Sequence, residues 1–303
     1  GSGGAYLWPQ MPLDPLETIT LAERQAIGAL CYDVGVMIGT GFESGGSGAS
    51  LQASKTALVT VFGYGQAVIG FSNDGHITTG LAEMMNPNLD AGQPLLLGIA
   101  GGGYSHAVVA DGYGYDSGTL YHHINFGWNG SNDAWYALPN VDTYTNIGTC
   151  IYNVRTAGSG EIISGRVTDA AGNPLAGAEV SCKIGSTVVQ QITTNARGIY
   201  ALCGLAKQQT YTVSAAKPPY GFLAQQAATG DSQDYEEPGN VWGVDFASVT
   251  AGPPTAFDGQ AEALSGTAAA ILLEAADDQM PNPPGQLEYV IMSLPGAGTL
   301  ADP

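Results

Sequence analysis

Histidine and cysteine are the scarce reactive residues of this 303-residue chain, four of each. His106 stands in GGGYSHAVVADGYG, at the start of an apolar strand behind a glycine-rich loop. That position leaves the imidazole at a strand end beside small residues, where another stretch of chain can approach. Asn125 follows nineteen positions later in YHHINFGWNG, with Trp128 just beyond it. A histidine that serves as base to a thiol needs a partner that fixes its tautomer and an apolar cover that keeps water off the pair. An Asn and a Trp on the neighbouring strand supply both, and the chemistry would be acyl transfer. The same residues also admit a structural reading, with His106 a satisfied strand-start residue and NFGW core filling.

The other candidates read differently. Cys31 lies mid-helix in ALCYDVGV, on the apolar side, without a glycine or a helix N-terminus to lower its pKa, so a buried core thiol is expected. Cys150, on the strand CIYNV, is likewise expected to be structural. His122 and His123 must point to opposite faces of one strand, one buried and one solvated. No Cys or carboxylate stands at zinc-ligand spacing around them. GGGY lacks the Lys-Ser/Thr and the helix of a phosphate loop and reads as a flexible approach to a substrate cleft.

The elements that must position these residues follow from periodicity. Thr20-Leu-Ala-Glu23 is a capping box, and Ala22, Ala26, Ala29, Leu30 and Val34 recur behind it near helical spacing. A second helix is predicted through SLQASKTALVTVFGYG, ending at Gly63. From residue 94 the period drops to two in PLLLGIAG, HAVVADGYG, YHHINFGW and DAWYAL. The last three are joined by DSG and GSND turns into an antiparallel meander. Helices followed by a sheet make the fold class α+β. Beyond TAGSGE at 156–161 there is no convincing helix. Short strands at about ten-residue spacing, ISGRVT, AEVSCKI, GIYALCGL, TYTVSAA and VWGVDFASV, predict a β-sandwich. Past TAGPPT at 250–255 about fifty residues remain, a poor independent core.

Composition excludes whole classes. Eight Lys and Arg against 27 Asp and Glu give a net charge of −19, too few cations to neutralise a row of phosphates. No apolar run reaches the roughly 18 residues of a membrane helix. Nucleic-acid binding and a membrane span are therefore excluded. The 44% apolar content is that of a globular chain and not of an acidic disordered tail. Acidic, glycine-rich, lysine-poor composition suits a secreted or cell-surface bacterial protein. The chain opens GSGGAYLWPQMP and stops at PGAGTLADP, and the expectation is a fragment cut at both ends.

SHAVVADGYG and LYHHINFGWNGSNDAWYAL together resemble the histidine half of the streptopain family of papain-like cysteine peptidases. The resemblance continues in AYLWPQMP, LAERQAIGALCYDVGV, GSGAS and ALVTVFGYG, covers most of residues 5–155, and implies a papain-like peptidase domain over 1–156. It makes His106 the catalytic histidine, with Asn125 and Trp128 packed beside it. Two positions depart from the family pattern: Phe126 stands where Trp is usual, and Ser105 where Gly is usual. In that family the nucleophilic Cys begins a helix ahead of Trp-x-x-Met-Pro. Here Trp8 and Met11-Pro12 come almost at the start, so the thiol is expected upstream of Gly1.

SGRVTDAAGNPLAGAEV, TTNARGIYALCGL and TYTVSAA resemble the carboxypeptidase regulatory-like β-sandwich, which implies a non-catalytic module over 160–249. Cys182 and Cys203 are expected on neighbouring strands, where export would allow a disulfide. DSQDYEEPG is expected to be a solvated loop, with calcium binding the alternative. Residues 253–303 resemble the opening of a bacterial cadherin-like or Ig-like repeat, in which Glu274, Asp277 and Asp278 are similar to part of a calcium cluster. No cofactor is otherwise implied. The whole reads as a secreted cysteine endopeptidase acting on protein or peptide substrates. It is inactive without its own upstream, nucleophile-bearing segment. The alternative is a non-catalytic adhesin or structural protein on a degenerate peptidase scaffold.

Overall fold

The computed structural model describes residues 5–13, 15, 18–72, 75–235, 237–249, 255–260, 262 and 266–276. Two compact units share the chain. The first gathers the described residues of 1–165, 201–211 and 227–244, and the second those of 166–200, 212–226 and 245–303.

In the first unit α1 (Leu21–Met37) begins at the predicted capping box. The Thr20 hydroxyl accepts from the Glu23 N–H at 3.3 Å, and the Glu23 carboxyl accepts from the Thr20 N–H at 2.7 Å. α2 (Leu51–Thr60) is capped by Ser50 and stops three residues short of Gly63, its end tightened by two N–H groups that share the Ala57 carbonyl. α3 (Leu81–Asp90) holds Pro87 in its interior, a residue that reads as a helix breaker. Burial of Met84 and Met85 at 3% and 0% exposure secures this helix against its local propensity.

The sheet beside these helices has six strands: β1 (Gln66–Phe71), β2 (Leu95–Gly101), β3 (Tyr104–Asp116), β4 (Thr119–Asn125), β5 (Ala134–Tyr136) and β6 (Asn146–Arg155). Their order is β1-β6-β2-β3-β4-β5, and the paired neighbours run antiparallel. β3 to β5 form the predicted meander, and β2 extends it at the β3 edge. β6 returns to lie between β1 and β2, a long-range pairing that no local pattern encodes. Alternation along the strands divides the side chains between two faces. Leu95, Leu97, Ile99, Val108, Ala110 and Ile124 bury one face under α3. Ile69, Ile151 and Leu96 carry the other against Leu51 and Leu58 of α2.

Within the same unit DSQDYEEPG is a loop, as expected, with Gln233, Tyr235 and Glu237 exposed, but it is anchored by buried contacts that its charge does not suggest. Ser232 is 2% exposed; its hydroxyl donates to the Glu161 carboxyl at 2.6 Å, and its N–H to the other oxygen at 2.9 Å. Asn153, Asn88 and Asn240 extend this buried network, with Asn88 accepting from the Asn153 N–H at 2.9 Å. Asp234 pairs with Lys55 and Asp231 with Lys207, each at 2.6 Å. These partners lie far away in sequence, so the run looks free when read locally.

The second unit is built of strands, as predicted, with two that the sequence pattern did not resolve, β9 and β12. The strands of this half of the chain are β7 (Glu161–Thr168), β8 (Glu179–Ile184), β9 (Thr187–Thr193), β10 (Ile199–Leu205), β11 (Thr210–Ala216), β12 (Gln225–Ala228) and β13 (Phe246–Ala247). β8 is flanked by β9 and by β11, both antiparallel. Both its edges are therefore occupied, and the expected adjacency of the Cys182 strand β8 and the Cys203 strand β10 is corrected; both thiols are free. β14 (Thr255–Ala256) pairs with β15 (Ala275–Ala276). Asp277, Asp278 and the remainder of the cadherin-like segment lie outside the described residues. No described helix is long and apolar enough to cross a membrane.

Candidate functional site

His106 sits two residues into β3, paired with Ile99 of β2, and so belongs to the sheet face that α3 covers. The turn before it is fixed by Gly102 at φ +59° and Gly103 at φ +85°. Two successive positive φ values make a tight primed hairpin turn, open to glycine at little cost. The glycine-rich stretch is therefore a two-residue hairpin turn between β2 and β3 that leads directly into His106.

The ring is half-buried and surrounded by aromatics. Trp128 stacks on it at a centroid distance of 4.7 Å and 30°, Phe126 lies at 5.9 Å and Tyr144 at 6.5 Å. Trp128 is 44% exposed, so one side of the cover faces water. Phe126 is 2% exposed and packs on Trp128 at 5.0 Å. A phenyl ring fills this place with no N–H to satisfy, whereas a buried indole would need an acceptor. Tyr144 was not legible in the sequence. It reaches the histidine because Gly101 lets the 143–145 backbone approach to about 2.8 Å of where a Cβ would stand.

One hydrogen bond sets the chemistry of His106. Its Nε2 lies 3.0 Å from the Phe126 carbonyl oxygen. A carbonyl can only accept, so Nε2 carries the proton and Nδ1 keeps the lone pair. The imidazole is thus held in the tautomer whose Nδ1 is free to accept a proton.

Asn125 enters this arrangement at second hand. Ile124 and Phe126 are buried at 0% and 2%, so alternation turns Asn125 to the opposite side of β4. Its amide oxygen accepts from the Gly127 N–H at 2.8 Å. That N–H belongs to the same peptide group whose carbonyl accepts from His106. The chain of bonds runs from the Asn125 oxygen through the Phe126–Gly127 peptide to Nε2, each bond polarising the next. Asp133 secures the preceding peptide by accepting from the Phe126 N–H at 2.8 Å. The structure therefore brings Trp128 onto His106 directly and Asn125 onto it through one peptide group.

The thiols stand elsewhere. Cys150 is fully buried, and burial pushes its pKa up, as expected of a structural residue. Cys31 corrects the expectation of a buried core thiol, because it is exposed on α1. The apolar residues of α1 are spread around the helix, so that only Ala26 and Gly35 are buried while Tyr32 and Val36 face out. Among the described residues, the ring contacts and hydrogen bond of His106 go to Phe126, Trp128 and Tyr144. His122 and His123 divide as alternation requires. His122 is 4% exposed with Nε2 at 2.8 Å from Asn86, and burial lowers its pKa to about 4. His123 is part-exposed and pairs with Asp111 at 2.7 Å.

With this geometry in place, comparison with known proteins adds the following. Residues 1–136 match the model of the Peptidase C10 family, and residues 162–236 that of the carboxypeptidase regulatory-like domain. Streptopain of Streptococcus pyogenes serotype M28 (strain MGAS6180) is 27% identical over 116 residues, which cover 38% of this chain and 28% of that protein. Streptopain of serotype M1 matches with the same identity and coverage. The chain thus spans under a third of the length of these relatives. Two solved structures align at 13% identity. The Bacillus anthracis TIE protein does so over 51% of this chain and 31% of its own at a TM-score of 0.23. A C-terminal fragment of pilus adhesin SpaC from Lactobacillus rhamnosus GG does so over 61% and 97% at 0.22. Scores this low carry no argument about the fold. By its sequence matches, the chain carries a Peptidase C10 (streptopain family) domain over residues 1–136 and a carboxypeptidase regulatory-like domain over residues 162–236.

Proposed function

We propose that this chain supplies the base half of a papain-like cysteine endopeptidase site, with the nucleophilic thiol contributed by a segment upstream of Gly1. The observation that carries the reading is the Nε2 bond of His106 to the Phe126 carbonyl, which reserves Nδ1 for a thiol. In the reaction Nδ1 takes the thiol proton to give a thiolate–imidazolium pair, and the thiolate then attacks a peptide carbonyl. Nδ1 then returns that proton to the leaving amine, and water completes the cycle by the same route. Trp128 and Phe126 shield the imidazole, and Asn125 positions it through the shared peptide group. The substrates are proteins or peptides, and the place of action is outside a bacterial cell or on its surface, in keeping with the acidic, lysine-poor composition. The sandwich strands act as a non-catalytic spacer or presenting module.

The test uses the protein extended upstream of Gly1. His106→Ala is expected to slow casein cleavage by about 10²–10⁴-fold, the usual contribution of a general base. An unchanged rate refutes the assignment, as does Ser or Ala in place of the upstream Cys. A second reading, a surface adhesin or structural protein on a degenerate peptidase scaffold, is favoured by one observation: the Asn125 amide is spent on Gly127 and not on the histidine itself. That reading predicts no casein cleavage by the extended wild-type protein under reducing conditions.

A further inference from the structure

The face of the sheet opposite His106 carries an open aromatic cleft at the β3–β4–β5 end. Gly114, Tyr115, Asp116, Tyr121 and Trp135 line it, and its volume is about 450 Å³. Trp135 pairs with His123 and Tyr121 with Gly114, and His123 alternates with the core residue Ile124, which fixes the side of the sheet. The Trp135 indole lies flat over two glycines. A Cβ on Gly112 would meet its Cη2 at 3.7 Å and one on Gly114 its Cζ3 at 3.8 Å. The His123 ring abuts it at 5.3 Å, and His123 is itself held by Asp111 at 2.7 Å. One face of the indole is thus braced by backbone while Trp135 stays 55% exposed to solvent.

Charge selects what fits there. Residues 56–154 contain no Lys or Arg and seven Asp or Glu, so β3, β4 and β5 lie in an acidic stretch, and Arg155 of this sheet stands on β6, separated from β3 by β2. A braced indole face, the Tyr121 ring and Asp116 in one cleft are the parts of a cation–π site. We propose that the cleft binds the cationic side chain, guanidinium or ammonium, of a basic polypeptide segment, stacked on Trp135 and paired with Asp116. The site does not depend on the peptidase reading, since it stands on the other face of the sheet and needs no thiol.

The test uses the full chain with ¹⁵N-labelled tryptophan, whose four indole N–H signals are separated by NMR and assigned with Trp135→Phe. Titration with Nα-acetyl-arginine amide is expected to shift the Trp135 signal alone, saturably. The affinity should exceed that for the neutral isostere Nα-acetyl-citrulline amide by about two- to five-fold, the scale of an exposed cation–π contact. Asp116→Asn, at an exposed position that cannot compromise the core, should weaken arginine binding by about two- to five-fold. Equal binding of citrulline overturns the proposal, as does the absence of a Trp135 shift. A shift produced by choline or by methyl glucoside, but not by arginine, overturns it in favour of a different ligand.

Discussion

If Asn125 positions His106 through a peptide group, its removal has a bounded effect. Asn125→Ala deletes one 2.8 Å hydrogen bond to the Gly127 N–H. Gly127 is exposed, so water replaces the lost acceptor and the stability cost is about 0.5–1 kcal/mol. The bond from His106 to the Phe126 carbonyl survives and loses only cooperative polarisation, about 10–30% of a bond worth roughly 1 kcal/mol. Adding some freedom of the turn, the barrier rises by less than about 1.4 kcal/mol, so kcat/KM falls by less than about ten-fold. Asn125→Asp keeps an acceptor in place and should restore most of that loss. The assay is casein or fluorogenic-peptide cleavage by the extended protein, wild type against both variants at one pH. A fall of more than a hundred-fold in both variants would refute the relay, because it would mean that the amide touches the imidazole during turnover.

Ser232→Ala removes the hydroxyl bonded to the Glu161 carboxyl and leaves the Gly239 N–H, now 2.8 Å from that oxygen, without an acceptor. The expected cost is about 2–4 kcal/mol, read as a lowered urea midpoint, and a loss under 0.5 kcal/mol would deny the network its structural role. His122 has a folded pKa near 4 against an ordinary value of 6.5, lowered by burial. The unfolded chain therefore binds more protons between these values, and stability falls by up to about 3 kcal/mol as pH drops from 6.5 to 4. His122→Gln should flatten that slope. Iodoacetamide should label Cys31 in the native chain and Cys150 only after denaturation, as peptide mapping by mass spectrometry will show.

What the sequence disclosed follows the range of the forces involved. The Thr20–Glu23 capping box and the β3–β5 meander are local, and both are present as predicted. His106 and Trp128 come together because the meander alone brings their strand ends into register. Tyr144 needed the return of β6 and the close approach at Gly101, neither of which has a local signature. Cys31 misled because an apolar neighbourhood on a helix does not say whether another element covers it. DSQDYEEPG was legible as a loop but not its anchoring, since Glu161, Lys55 and Lys207 stand far off in the chain. For Asn125 the residue type and strand were legible. Its route to the histidine was not, since that depends on which side of β4 it takes.

The central claim is that His106 is the base of a thiol dyad. Its most direct measurement is the rate of alkylation of the upstream cysteine by iodoacetamide at pH 6, mapped by mass spectrometry in the extended protein. A thiol paired with an imidazolium is almost wholly thiolate at that pH, whereas an ordinary thiol of pKa about 8.5 is so to only about 0.3%. His106→Ala should therefore slow alkylation at that site by about 100-fold or more while leaving Cys31 labelling unchanged. Equal rates in the wild type and the variant would contradict the account.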